Sequence, residues 1–198
     1  GKGTQALFAR IGGDVGTDHA WRVGLSRLKA KSARRSTTHN SATDLFTGTS
    51  ELTGVDVVWK WAPNGNPKER NFKFQTEYFT RDEDGTFDPA SSGTPLAYRG
   101  KQNGWYAQGI YQFMPRWRVG LRHDKLESDA VNATLAGSAL DNQGHSPKRA
   151  SLMLDYANSE FSRLRFQVNR DESRLNEKDT QLYLQYIMSL GAHGAHSF

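Results

Sequence analysis

The sequence predicts an all-β fold, an antiparallel up-and-down transmembrane β-barrel, with about nine strands in the 198 residues. Three observations predict this fold. Apolar and polar residues alternate along most of the chain, short and long connections alternate, and aromatic residues collect at the strand ends beside the short connections. Each predicted strand has roughly 9–12 residues, the length with which a tilted strand crosses a bilayer.

The first four predicted strands each place apolar residues on one face, because side chains two positions apart share a face of a strand. The first strand covers about 4–14 and the second about 20–31. In chain order, the apolar faces carry Leu7, Ala9, Ile11 and Gly13; Trp21, Val23 and Leu25; Val55, Val57, Trp59 and Trp61; and Phe72, Phe74, Thr76 and Tyr78.

The remaining five predicted strands repeat this pattern. Their apolar faces carry Trp105, Ala107, Gly109, Tyr111 and Phe113; Trp117, Val119 and Leu121; Ala150, Leu152, Leu154 and Tyr156; Leu164, Phe166 and Val168; and Leu182, Leu184, Tyr186, Met188 and Leu190. Any one of them would suit a half-buried strand of a soluble β-sandwich, which stays an alternative. The succession of all of them favours the barrel.

The connections between the predicted strands sort by length. The stretches "VGTDH", "APNGNPKE", "MPR" and "ANSEFS" are short, whereas 32–52, 82–103 and 126–147 are predicted as long loops and 170–179 as an intermediate one. Outer-membrane barrels have tight periplasmic turns and extended outer loops. One of the long polar loops has the length to fold into the lumen.

Six aromatic residues on the apolar faces are predicted to form a girdle at the membrane interface, where such rings sit at the level of the lipid headgroups. They all lie next to the short connections. They are Trp21, Trp61, Phe72, Phe113, Trp117 and Tyr156.

The polar faces of the strands are rich in charge, and a cationic excess there would favour anions in a water-filled pore. A salt-bridge lattice that only stiffens the barrel is the alternative interpretation. The predicted pore-lining residues are Arg10, Arg22, Lys60, Lys73, Glu77, Arg118, Arg122, Arg149, Asp155, Arg163 and Arg165.

Several function classes are not expected. The chain has no cysteine, which removes disulfides and thiol catalysis. Its net charge of +5 is spread along the sequence, so nucleic acid is not a predicted partner. No cofactor and no enzymatic activity are predicted, since nothing identifies a nucleophile for His123 and Asp124. No metal site is predicted either, although His193 and His196 have ligand chemistry.

The last predicted strand ends in Phe198, with no polar tail. This ending resembles the terminal strands of outer-membrane barrels, which finish on an aromatic residue that the barrel-assembly machinery recognises. Residues 1–198 are expected to form a single β-barrel region. With short turns on the periplasmic side, an odd count of strands predicts that this region is the carboxy-terminal portion of a larger barrel.

Three stretches, "FARIGGDVGTDHAWRVGLSRL", "VVWKWAPNGNPKERNFKFQTEYFTRDEDG" and "LYLQYIMSLGAHGAHSF", resemble a family of proteobacterial outer-membrane proteins. Members of this family are described as porin-like or labelled as zinc-regulated TonB-dependent receptors. The resemblance covers nearly the whole chain and corresponds to the carboxy-terminal half of such proteins. It implies a location in the bacterial outer membrane and identifies neither a substrate nor a catalytic residue.

These observations predict a porin-like channel for passive diffusion of small solutes, with a preference for anions. The barrel of a TonB-dependent-type receptor and a soluble β-sandwich binding module are the alternatives. The expected partners are outer-membrane lipid, the barrel-assembly machinery and small solutes, and a homo-oligomer is compatible with the pattern.

Overall fold

The computed structural model describes residues 3–39, 41–159 and 161–189. These residues form one antiparallel sheet in which each strand pairs with the next along the chain. The strands are Thr4–Val15 (β1), His19–His39 (β2), Ala42–Trp61 (β3), Asn71–Asp88 (β4), Leu96–Met114 (β5), Trp117–Ser128 (β6), Lys148–Ser159 (β7), Ser162–Glu172 (β8) and Asp179–Met188 (β9).

Three single-turn 3-10 helices, Pro63–Gly65, Pro89–Ser91 and Ala133–Leu135, lie in the connections. Among the residues that the structure describes, none forms a helix long and apolar enough to cross a membrane.

The predicted antiparallel up-and-down arrangement is confirmed. All nine strands belong to a single sheet in the order β1 to β9, rather than to the two packed sheets of a sandwich. Within the described part of the chain, β1 pairs only with β2 and β9 only with β8.

The prediction of long loops at 32–52 and 82–103 is wrong. β2 and β3 remain paired from His19 and Trp61 as far as His39 and Ala42, so most of 32–52 is strand. β4 and β5 likewise continue into 82–103 and leave only 89–95 unpaired. The four strands β2–β5 therefore have 21, 20, 18 and 19 residues, which exceeds the predicted length. The sequence hides these extensions because both of their faces are largely polar, so the apolar alternation stops while the backbone ladder continues.

The third long loop is present, as residues 129–147 between β6 and β7. It does not extend away from the sheet. Leu135 has 2% of its surface exposed and packs with Phe46, Phe87 and Tyr98, which come from β3, β4 and β5. We call residues 129–147 the loop cap, because they cover one end of the sheet.

The sheet has two ends and two faces. The turn end carries the connections after β1, β3, β5 and β7, and the loop end carries those after β2, β4, β6 and β8. Directly paired residues share a face. One face, the apolar face, carries paired rows such as Ile11, Val23 and Val57. The polar face carries rows such as Arg10, Gly24 and Asp56.

Large apolar side chains remain exposed along the whole apolar face. Leu7 and Ile11 at one edge are 73% and 68% exposed, and Leu182 and Leu184 at the other edge are 68% and 79% exposed. Leu121 in the middle of the sheet is 64% exposed. The small buried core instead lies on the polar face at the loop end, under the loop cap.

Candidate functional site

The register brings the eleven predicted pore-lining residues onto the polar face. Successive strand pairs connect Arg10, Gly24, Asp56, Glu77, Tyr106, Asp124, Arg149, Asp171 and Asp179 into one row. The neighbouring row towards the turn end includes Arg22 and Arg122. The next two rows include Lys60 with Lys73, and then Arg118, Asp155 and Arg165, with Arg163 two positions further along β8.

Charge is segregated along the strands, which a count of charged residues does not reveal. The row that begins at Arg10 contains five carboxylates and two arginines, and we call it the acidic row. The three rows between it and the turn end carry cations, and Asp14 and Asp155 are their only acidic members among the described residues. This turn-end zone, together with Arg163, is the cationic zone.

Ion pairs neutralise much of the acidic row. Asp56 lies 3.9 Å from the guanidinium nitrogens of both Arg10 and Arg22. Asp124 accepts hydrogen bonds from Arg122 Nε at 2.9 and 3.0 Å and lies 3.9 Å from Arg149 Nε. This part of the polar face therefore has the lattice of ion pairs that the alternative interpretation describes.

An aromatic ring supports the same lattice. The guanidinium carbon of Arg122 lies 3.9 Å from the centroid of the Tyr106 ring, within the range of a cation–π contact. Tyr106 belongs to the acidic row through its pairing with Asp124. Arg122 is thereby held by a carboxylate and an aromatic face together.

The cationic zone contains a different arrangement around Asp155. This carboxylate is 1% exposed and accepts hydrogen bonds from Arg165 Nε at 2.7 Å and Nη2 at 2.9 Å. Arg163 Nη1 lies 4.0 Å from Asp155 Oδ2, and Arg118 is the cross-strand partner of Asp155 on β6. Lys60 and Lys73 are also direct partners, so like charges face each other in this zone.

A second charged network, at the loop end, was not predicted. Glu83 accepts hydrogen bonds from Arg35 at 2.6 and 3.2 Å and is also bound by Arg81. Burial raises the pKa of Glu83, but the hydrogen bonds from Arg35 and Arg81 outweigh burial and hold this pKa below its usual range. The Arg35 guanidinium lies 4.6 Å from the centroid of the Phe46 ring, so the network adjoins the core under the loop cap. Arg35 and Glu83 fall within long loops that the sequence predicts, so their pairing is not predicted.

The predicted girdle residues lie on the apolar face at the turn end. Trp61 pairs with Phe72, and Trp117 pairs with Tyr156, with a ring-centroid distance of 4.9 Å. Trp21 pairs with Trp59 one row further in. Phe113 lies where the register between β5 and β6 shifts. Whether these rings meet a lipid interface stays a prediction.

Trp59 joins this aromatic group, although it was not among the predicted girdle residues. Its ring stacks on His19 at a centroid distance of 5.6 Å, and its Nε1–H donates to His19 Nδ1 over 3.3 Å. The alternation already places Trp59 on the apolar face, and the structure adds that its ring centroid lies 5.7 Å from that of Phe72.

Other candidate chemistry finds no assembled site. His193, His196 and Phe198 lie outside the described residues. Within residues 3–39, 41–159 and 161–189, no group of three or more metal-ligating side chains occurs. The ring of His123 lies tilted against the ring of Trp105, with the centroids 5.3 Å apart, whereas the adjacent Asp124 belongs to the acidic row on the opposite face.

Comparisons with known proteins give few relatives. No family model matches the chain. An uncharacterized protein of Aquifex aeolicus is 28% identical over 160 residues, which are 77% of this chain and 32% of the relative. The chain thus spans about a third of that relative's length.

Two solved structures are similar in fold. The first is OmpT, an outer membrane protein of Vibrio cholerae in a trimer form, with a TM-score of 0.49, 13% identity and coverage of 85% of this chain and 45% of that one. The second is the NanC porin, with a TM-score of 0.44, 8% identity and coverage of 96% and 95%.

Proposed function

We propose that this sheet forms the wall of a β-barrel in the bacterial outer membrane and that the protein is a porin-like channel for passive diffusion of small solutes. One observation carries the proposal: the sheet exposes apolar side chains along one entire face and charged side chains along the other. Soluble monomers rarely expose apolar patches larger than a few hundred Å².

The free energy of transfer favours lipid for the apolar face. Moving one fully exposed Leu or Ile side chain out of water is worth ~1.5–3 kcal/mol. Leu7, Ile11, Leu182 and Leu184 alone, each at least 68% exposed, would contribute several kcal/mol. Backbone hydrogen bonds are satisfied within the ladder, as a bilayer requires, and both sheet edges need partners there.

The charged side chains of the polar face would line a water-filled lumen. Two carboxylates of the acidic row are paired by the row's own arginines and by Arg22 and Arg122 of the cationic zone. The remaining cations of that zone still outnumber its carboxylates. We infer that this surplus gives the channel its preference for anions. The turn end would face the periplasm and the loop end the outside.

The same proposal assigns the other predicted roles. The girdle rings would lie at headgroup level. We propose no catalytic role, because His123 and Asp124 project to opposite faces of the sheet.

Electrical recording tests the proposal directly. The full-length natural protein is reconstituted in planar bilayers under a KCl gradient, and its reversal potential is measured. We expect stepwise conductance and a reversal potential that indicates chloride over potassium. An absence of conductance would overturn the open channel, and a protein that stays monodisperse without detergent would overturn the membrane assignment.

A further inference from the structure

The strongest unassigned feature of the polar face is a group of arginines at the turn end of β6, β7 and β8. Arg118, Asp155 and Arg165 are consecutive partners in one row, and Arg163 is two positions from Arg165. Three arginines and one carboxylate thus occupy neighbouring positions on three adjacent strands. Gln112 and Gln185 continue the row on either side and are uncharged.

Both carboxylate oxygens of Asp155 accept hydrogen bonds from one of these arginines. Arg165 binds both of its oxygens in a two-pronged arrangement, at 2.7 and 2.9 Å. Arg163 lies 4.0 Å away, which is beyond hydrogen-bonding distance. Arg118 has neither a hydrogen bond nor an ion pair with any residue in the described ranges.

The unpaired groups are partly removed from water. The Nε atoms of Arg118 and Arg163 are buried and find no hydrogen-bond partner among the described residues. The charges of Arg165 and Arg118 both act on Arg163. Gathering like charges at reduced exposure costs free energy that a bound anion would offset.

The other arginine groups of the polar face lack this surplus. Asp124 is shared by Arg122 and Arg149, and Glu83 by Arg35 and Arg81, which gives two arginines to one carboxylate. Around Asp155 the ratio is three to one. The Nε atom of Arg149 beside Asp124 also lacks a hydrogen-bond partner among the described residues, so it is the ratio that distinguishes the group around Asp155.

We propose that Arg118 and Arg163 form a binding subsite for a small oxyanion, a phosphate or a carboxylate, at the turn end of the lumen. This inference rests on the proposed function, which makes the polar face a lumen. Guanidinium groups suit such ligands because their planar N–H pairs match two oxygens of one anion. Arg165 is held by Asp155 and is a positioning residue: it shapes the subsite but does not bind the anion.

Current block in planar bilayers tests the subsite. Inorganic phosphate is added to the turn-end side while the chloride current is recorded for the natural protein and for R118Q/R163Q. We expect phosphate to reduce the natural current, and the double variant to need roughly tenfold more phosphate for half block, about 1.4 kcal/mol of lost binding. Acetate in a parallel series reports whether the site accepts carboxylates as well as phosphate.

The control for net charge is R27Q/R99Q, which removes the same charge from the loop-end half of the apolar face and leaves the polar face unchanged. Arg27 pairs there with Glu51 and Arg99 with Asp84. Phosphate block should be unchanged in this control. Equal block in R118Q/R163Q and the natural protein would overturn the subsite, and so would a chloride current that phosphate does not reduce.

Calorimetric titration separates the subsite from the channel. Phosphate is titrated into each detergent-solubilised variant, so that the readout does not require conduction. Binding by the natural protein that R118Q/R163Q loses supports the subsite even where no current flows, and in that case only the channel fails. A conducting protein that binds no phosphate overturns the subsite alone.

Discussion

At the scale of single residues, Gly24 shows how the acidic row is held together. It stands between Arg10 and Asp56 in that row. A Cβ atom added at Gly24 would lie 1.9 Å from Asp56 Oδ2. Glycine thus leaves the space in which the Asp56 carboxylate meets Arg10 and Arg22. Position 24 therefore requires glycine because the Asp56 carboxylate approaches its backbone so closely.

Gly24→Ala should therefore destabilise the protein by roughly 1–2 kcal/mol, because the added methyl group displaces the Asp56 carboxylate. Denaturant unfolding in detergent micelles measures the loss. Gly13→Ala is the matched control, since a Cβ there meets its nearest atom at 3.8 Å. Equal stability of the two variants would contradict this role of Gly24.

Glu83 predicts a pH dependence at the loop end. Its pKa is lower in the folded protein than in the unfolded chain, because the hydrogen bonds from Arg35 and Arg81 outweigh burial. The resulting stabilisation is present above the unfolded-state pKa and is lost as pH falls through the lower folded-state value, below pH ~4. We expect weaker protection of the backbone amides around Phe46 and Phe87 in that range, measured as the exchange rate relative to the intrinsic rate at the same pH.

In Glu83→Gln, the same backbone amides should already exchange rapidly at neutral pH, because the neutral amide side chain forms weaker bonds with the two arginines. The change in protection at low pH should then be absent. Glu69→Gln, in the turn-end connection between β3 and β4, is the control and should keep it. A transition that persists in Glu83→Gln would assign it to another group.

At the scale of elements, the loop cap is the segment whose position depends on few residues. Leu135 inserts between the rings of Phe46, Phe87 and Tyr98. Asn132 caps the short helix by accepting a hydrogen bond from the Leu135 N–H over 3.2 Å. Val131, Ala139 and Leu140 of the cap pack against the same cluster. Turns within the cap add to this, such as Asp141, which accepts hydrogen bonds from the Gly137 and Gln143 N–H groups.

Leu135→Ala should release the loop cap, since truncating a buried leucine costs ~2–5 kcal/mol. Limited proteolysis within 129–147 should become much faster while the strands stay intact. Leu175→Ala is the control, because Leu175 is 40% exposed in the connection after β8. Unchanged cleavage in Leu135→Ala would show that other contacts hold the cap.

The sequence was informative where one face of a strand is apolar and the other polar. The alternation of apolar and polar residues in those segments predicts all nine strands. The extensions of β2–β5 carry residues such as Thr47, Thr49 and Thr86, whose pairing depends on a partner strand far along the chain. Pairings of this kind, and the insertion of Leu135, follow from long-range contacts that no local pattern encodes.

At the scale of the whole molecule, the two-faced sheet determines how substitutions act. A charge on the apolar face must enter lipid if the proposed barrel is correct, whereas a charge on the polar face stays in water. For lysine at the bilayer midplane of a barrel the cost is ~2–4 kcal/mol. The same change on a soluble protein would be close to neutral.

Leu184→Lys on β9 therefore should destabilise the protein by ~2–4 kcal/mol in liposomes, as measured by denaturant unfolding. Gln185→Lys, the next residue, is the control because it lies in the row of Arg165 on the polar face. If Leu184→Lys is as stable as its control, the apolar face does not contact lipid.

The unequal strand lengths have a consequence for the outside of the cell. β2–β5 have 18–21 residues and the other strands 10–12. At ~3.4 Å per residue, the difference is on the order of 27 Å along a strand. In the proposed orientation, the outer rim stands higher over β2–β5 than over the other strands. If the proposed barrel is correct, bulky molecules would meet the high side first, and small solutes would reach the opening over the low side.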